Sequence, residues 1–276
     1  MKSYKDLINK CVKTGGFLRN IGKTSLGYDI PLLSKGKGEA RILLIGSVHA
    51  REHITTPLLL NLFGEYRGKH PIDCIPALNI DGVMLAKNGI NSLPLRIKQR
   101  DYLINLNGSD NFSLWKANIR GVDINVNFDA GWGEGRENVE VPASESYIGA
   151  APNSETETQA VVNLLKKTKY ALVVAYHSKG EEIYFGFRED NRYQEYADKY
   201  ANFLGYTLKE TRHSAGGIKD YWTKSTGRLG LTVEVGKDSF SHPYPEKELP
   251  ALIKQHSGSL ELLAEIGKEL WTKYDI

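Results

Sequence analysis

The sequence predicts an α/β fold, a sheet covered by helices on both faces. Three observations carry this. Short apolar runs recur at residues 41–48, 171–176 and 230–236. The first two lack the alternation of a strand with one wet face, so they read as buried strands, and the third reads as a strand closed by glycine. Between them lie longer stretches with apolar residues at helical spacing. Strands alternating with helices argue a covered sheet, and in such sheets ligands sit at the strand ends.

The elements follow in order. Arg41 to Val48 forms the first buried strand. Thr56 and Pro57 then open a helix carrying Leu58, Leu59, Leu62, Phe63 and Tyr66, with Thr56 as N-cap and Pro57 at the first helical position. Residues 71–80 read as a further strand, weakened by Pro76. Ser154, Glu155, Thr156 and Glu157 read as a capping box ahead of Val161, Val162, Leu164 and Leu165. That helix runs into the strand at 171–176. Residues 181–187 alternate weakly, as a strand does. Tyr193, Tyr196, Ala197, Tyr200 and Leu204 share a helical face over 190–204, stopped by Gly205. The run at 230–236 is a strand closed by glycine, and 249–271 is a long helix with a break expected at Gly258. No repeat, linker or low-complexity tract divides residues 1–276, so one domain is expected.

Bulk composition narrows the function. The 276 residues hold 36 Lys plus Arg against 33 Asp plus Glu, a net charge of +3. That balance argues against nucleic acid as a partner. Two cysteines, Cys11 and Cys74, cannot build a disulfide framework or a four-thiolate zinc site. The N-terminus has no apolar signal-peptide core, and no stretch approaches a membrane span. The expectation is a soluble, cytoplasmic protein with free thiols and no membrane partner.

Three strand ends carry polar groups that strands do not need. His49 and Glu52 follow the first run, three residues apart on a turn. His177 follows the run ending at Tyr176. Glu234 sits inside Leu231, Thr232, Val233 and Val235. Two histidines and a carboxylate suit a catalytic Zn²⁺ site, and a remaining carboxylate could act as general base on water. Each piece alone is weak. A His-x-x-Glu spacing recurs by chance, and a strand-end histidine serves structure more often than chemistry. Glu234 is harder to dismiss, because a buried carboxylate is costly unless paired.

In order, these segments resemble the zinc carboxypeptidase family. His49-x-x-Glu52, His177-Ser178 and Leu231-Thr-Val-Glu234 match its pattern. Trp115-Lys-Ala-Asn118 with Gly121-Val-Asp-Ile-Asn125-Val-Asn-Phe128, and Gly216-Gly-Ile-Lys-Asp220, match further segments. The resemblance spans roughly residues 20–240. It implies a single-domain three-layer α/β/α fold with a mixed sheet of about eight strands. It implies one zinc ion per chain on His49, Glu52 and His177, with Glu234 as general base and later proton donor to the leaving amine. Lys116 falls where the family commonly has an arginine that polarises the scissile carbonyl. Asn125 and Arg51 match substrate-binding positions.

Two departures matter. The family's segment reads Asn-Arg-Asn, and its arginine grips the substrate's terminal carboxylate. Here the middle residue is Val126, which has no donor and cannot replace that contact. The usual tyrosine ahead of the Gly-Gly segment is replaced, counting back without a gap, by Arg212, and the pocket segment carries Lys219. Cations near the proposed cleft are Arg120, Lys179, Arg212 and Lys219. They suit a substrate with carboxylates in unusual places, as in bacterial cell-wall peptides. The details resemble the γ-D-glutamyl-diamino acid peptidases, which implies cleavage between γ-D-glutamate and meso-diaminopimelate or lysine. Two alternatives stay open: an ordinary carboxypeptidase, and a catalytically silent metal-containing muropeptide-binding module.

Overall fold

The computed structural model describes residues 1–211 and 214–274. Eight strands form one mixed sheet: β1 Phe17–Lys23, β2 Asp29–Lys35, β3 Arg41–Ile45, β4 Ile72–Ile75, β5 Tyr170–His177, β6 Glu182–Phe185, β7 Thr207–Lys209 and β8 Gly230–Glu234. Their spatial order is β1-β2-β4-β3-β5-β8-β6-β7. The central strands β4, β3, β5 and β8 run parallel, and β1, β2 and β6 pair antiparallel. Among the described residues nine helices surround them: α1 Tyr4–Lys13, α2 Thr55–Glu65, α3 Ile80–Asn88, α4 Ile97–Asn107, α5 Thr156–Lys167, α6 Gln194–Leu204, α7 Ile218–Thr226, α8 Leu249–Gln255 and α9 Ser259–Lys273.

The strand period of two divides the apolar residues between two cores. Ile42, Leu44, Leu172 and Val174 point to one face and pack with residues of α2, α6 and α9. Leu43, Ile45, Val173 and Ala175 point to the other and pack with α5 and α7. Successive side chains alternate across a sheet, so a run apolar at every position needs cover on both sides. Truncating one fully buried leucine here, Leu44→Ala, costs roughly 2–5 kcal/mol.

Several expected boundaries shift. The first central strand ends at Ile45, and residues 50–52 form a 3₁₀ turn. Thr55 and Thr56 both lie inside α2, whose cap is Ile54, so Thr56 is not the N-cap. The Thr55 hydroxyl instead accepts the Ser47 N–H at 2.8 Å and ties the helix to the strand end. The run at 71–80 is a four-residue strand followed by α3, which Asn79 caps through the Gly82 N–H at 3.0 Å. The capping box at Ser154 does not form. The Ser154 hydroxyl donates to the Glu155 carboxylate at 2.9 Å, and α5 starts at Thr156 without a side-chain cap. Gly205 and Gly258 break the chain as expected, at φ 71° and 78°. Positive φ costs a glycine nothing.

Candidate active site

The carboxyl ends of β3, β5 and β8 lie side by side, and each delivers one part of the site. The turn after β3 brings in His49 and Glu52. Its position is fixed by the Ala50 N–H, which donates to the Lys116 carbonyl at 3.0 Å. His177 is the last residue of β5 and pairs in register with Glu234, the last of β8. Strand pairing and that loop contact together bring the three chain segments to one place.

His49, Glu52 and His177 are all buried, and their ligand atoms lie within 4.8 Å of one another. His49 Nδ1 is 2.7 Å from one Glu52 oxygen. His177 Nδ1 is 3.0 Å from the other and 3.1 Å from His49 Nδ1. Two ring nitrogens and a carboxylate aimed at one point suit a cation, and the set of two His and one Glu is that of catalytic zinc. Burial opposes the charge on Glu52, but His49 and His177 hold its carboxyl well below the usual carboxylate range.

Asp123, to which the sequence reading assigned no role, completes the centre. It is fully buried, with one oxygen 3.2 Å from His49 Nε2 and the other 2.8 Å from Lys116 Nζ. A carboxylate behind a ligand histidine fixes its orientation and tautomer. Burial works against the Asp123 charge, and Lys116 and His49 hold it well below the ordinary range. Burial likewise pulls Lys116 down, yet Asp123 outweighs it and leaves the ammonium above its usual value.

Glu234 is half-buried and opens on a cavity of about 500 Å³. Desolvation pushes its carboxyl up to about 8, with His177 and Lys116 opposing and Glu52 and Glu182 adding. Asn125 and Lys219 line the same cavity. Asn125 accepts the Ile218 N–H at 3.3 Å. The close approach of these two segments requires Gly216. Its φ is 78°, and a Cβ there would lie 2.6 Å from the Val126 carbonyl oxygen.

The other cations divide. Lys219 is buried, donating to the Gly186 carbonyl at 2.6 Å and to Asp220, so it is no surface charge. Arg51 pairs with Glu145 at 3.1 Å and donates to the Leu114 carbonyl at 3.3 Å. Lys179 pairs with Asp238 at 2.6 Å. Arg120 pairs with Glu155 and lines a different cavity, so it does not belong to the Glu234 cavity. Arg212 lies outside the described residues. Cys11 and Cys74 are buried free thiols, and burial pushes Cys11 up to about 12. No helix of the described residues is long and apolar enough to cross a membrane.

A His₂Glu cluster at the carboxyl edge of a mixed sheet, beside a desolvated glutamate, defines a metallohydrolase. The chain belongs to the zinc carboxypeptidase family, whose model matches residues 16–257, and zinc is the metal of that family. It is similar to gamma-D-glutamyl-L-diamino acid endopeptidase 1 of Lysinibacillus sphaericus, 33% identical over 260 residues, covering 86% of this chain and 64% of the relative. This chain thus spans just under two thirds of that relative's length. The protein YqgT of Bacillus subtilis, itself uncharacterised, is 32% identical over 268 residues, covering 88% of this chain and 70% of YqgT. The fold matches that of bovine thrombin-activatable fibrinolysis inhibitor in complex with tick carboxypeptidase inhibitor. The TM-score is 0.78 at 20% identity, over 98% of this chain and 97% of that one.

Proposed function

We propose that the protein is a zinc metallopeptidase that hydrolyses the amide between γ-D-glutamate and a diamino acid in cell-wall peptides. The observation that carries the substrate class is Val126, an apolar residue where an ordinary carboxypeptidase needs a cation for the terminal carboxylate, together with the buried Lys219 in the lining of the cavity beside Glu234. The endopeptidase relative from Lysinibacillus sphaericus supports the same reading.

His49, Glu52 and His177 would hold the zinc, with Asp123 orienting His49. Zinc bound there supplies Lewis-acid polarisation of a carbonyl and acidifies water toward a pKa of about 7. Glu234 accepts the proton of the attacking water and passes it to the leaving nitrogen. Its raised proton affinity suits both halves of that transfer. Lys116 Nζ is 2.8 Å from Asp123. An ammonium has three donors, and Asp123 takes one, so another can meet the developing oxyanion. Donors of this kind contribute roughly 3–4 kcal/mol to the transition state. Asn125 orients the substrate from the cavity wall, and Arg51, steadied by Glu145, meets the part ahead of the scissile bond.

The test is a comparison of kcat/KM on L-Ala-γ-D-Glu-meso-diaminopimelate with that on an N-blocked L-dipeptide. The γ-linked peptide should be the far better substrate. Equal or better turnover of the L-dipeptide would replace this reading with an ordinary carboxypeptidase. Zinc binding without turnover of either would leave a binding module.

A further inference from the structure

A second cavity, of about 530 Å³, is bordered by Pro142 and Tyr147, which flank the loop carrying Ser144 and Glu145. The Ser144 carbonyl accepts the Lys116 and Ala117 N–H groups at 3.0 and 2.9 Å, and Glu145 pairs with Arg51. One loop thus joins this cavity to the active site. Its volume lies within the range of about 300–1,000 Å³ in which small-molecule sites fall.

The walls are held in place from behind. The turn after β1 hangs on buried carboxylates of α3 and α5. The Thr24 hydroxyl and the Leu26 N–H donate to Asp81, both at 2.8 Å, and the Ser25 N–H donates to Glu157 at 3.2 Å. Leu26 and Ile119 are apolar parts of the lining, to which α4 adds Gln99 and Tyr102. Three residues apart, these two share a helix face. The Tyr102 hydroxyl donates to the Arg120 carbonyl at 3.3 Å, which pins the phenol, while the residue stays 41% exposed.

The polar groups of the lining are donors without a net charge to offer. Arg120 Nε lies 3.4 Å from Glu155, a carboxylate with no exposed surface, so the guanidinium is already neutralised. An ion therefore finds no uncompensated partner there. The terminal amines of Arg120 have no partner among the described residues, and neither does the Tyr147 hydroxyl. Gln99 Oε1 accepts the Arg96 N–H at 2.9 Å, which leaves its amide N–H groups open. Planar donors beside two tyrosine rings suit a neutral ligand with an apolar face and a rim of oxygens. A pyranose has that form: its C–H faces pack on an aromatic ring, and its hydroxyls and any N-acetyl carbonyl accept hydrogen bonds. An apolar peptide side chain would fill the same space and leave the donors unpaired.

We propose that this cavity is a saccharide site, which holds a neutral pyranose such as N-acetylglucosamine against Tyr102 and Tyr147 while Arg120 and Gln99 donate to its oxygens. The binding stands on the cavity, and only its use rests on the cell-wall reading above. Cell-wall peptides hang from saccharide chains, so a sugar site one loop away from the metal centre keeps the enzyme beside its substrate.

The experiment titrates chitotriose, the β-1,4-linked trimer of N-acetylglucosamine, into the zinc-loaded protein, followed by calorimetry and by amide shifts in NMR. N-acetyl-L-leucinamide is the comparison probe for a peptide side chain. Chitotriose should bind with a Kd on the order of 1 mM or tighter and shift Tyr102, Arg120 and Tyr147. Tyr102→Ala should weaken it about tenfold, and Gln99→Ala, which keeps the ring, about threefold. If Tyr102→Ala does not fold, the wild-type shift map decides by itself. No binding at ~10 mM, shifts confined to other faces, or equal affinity in Tyr102→Ala overturns the inference. Binding of the leucinamide in place of the trimer also overturns it and makes the cavity a peptide groove. All of these are read without turnover, so failure here and failure of the γ-D-glutamyl reading are separate results.

Discussion

Replacing Asp123 by asparagine separates two jobs that one carboxylate performs. Asparagine keeps the volume and one acceptor oxygen but removes the charge. Lys116 Nζ, 2.8 Å away, then loses its counter-ion, and its side chain is only 20% exposed. Stripping one partner from a buried pair costs about 3–5 kcal/mol, and the partial exposure of Lys116 brings the expected loss to about 2–3 kcal/mol. His49 Nε2, 3.2 Å from the same residue, loses a charged acceptor for a neutral one. Losing such a partner behind a metal ligand weakens metal binding about 10–100-fold. Urea unfolding of the metal-free Asp123→Asn variant measures the first effect. Zinc competition with a chromogenic chelator measures the second. An unchanged urea midpoint with a zinc Kd within about twofold of wild type would refute both assignments.

Two further outcomes are expected. Glu234→Gln should bind zinc stoichiometrically yet lose about 10²–10⁴-fold in kcat, and near-wild-type turnover would move the general base elsewhere. Glu157 is buried with no cation paired to it among the described residues, and burial, with Asp81 adding, lifts its carboxyl from 4.5 to about 7. The folded state then holds a proton that the unfolded state releases, so stability falls as pH rises from about 4.5 to 7, by about 3 kcal/mol at 1.36 kcal/mol per unit. In Glu157→Gln the urea midpoint should fall less between pH 5 and pH 8, and superimposable pH profiles would exonerate Glu157.

The central strands β3 and β5 were legible because they are apolar at almost every position, which only a doubly covered strand tolerates, and β8 was legible from its apolar residues and the glycines that bound it. The hairpin of β1 and β2 was not, since no residue of β1 is fully buried and its pattern carries no period. Helix α4 buries only Leu103, so its face is invisible to a search for apolar spacing. The metal cluster was legible from residue type at strand ends, although His49 and His177 stand 128 positions apart. Asp123 was in plain view between Val122 and Ile124. An aspartate flanked by buried apolar residues was the available signal. The pairing of Lys219 with Asp220 and that of Arg51 with Glu145 depend on which surfaces meet in space, and local periodicity does not encode that.

The wall at residue 126 is built almost without its side chain. The Val126 N–H bonds to the Asp123 carbonyl at 3.1 Å, the Asn127 side chain anchors the loop to the Ile148 carbonyl at 2.8 Å, and Gly216 packs against the Val126 backbone. The scaffold therefore places no demand on which residue stands there. A lineage can exchange the side chain at this position and try a new substrate end without first solving a folding problem, and the catalytic centre stays intact during the trial. The end of the substrate that meets this wall can then be changed by single substitutions at residue 126, while the hydrogen bonds that fix the loop stay in place.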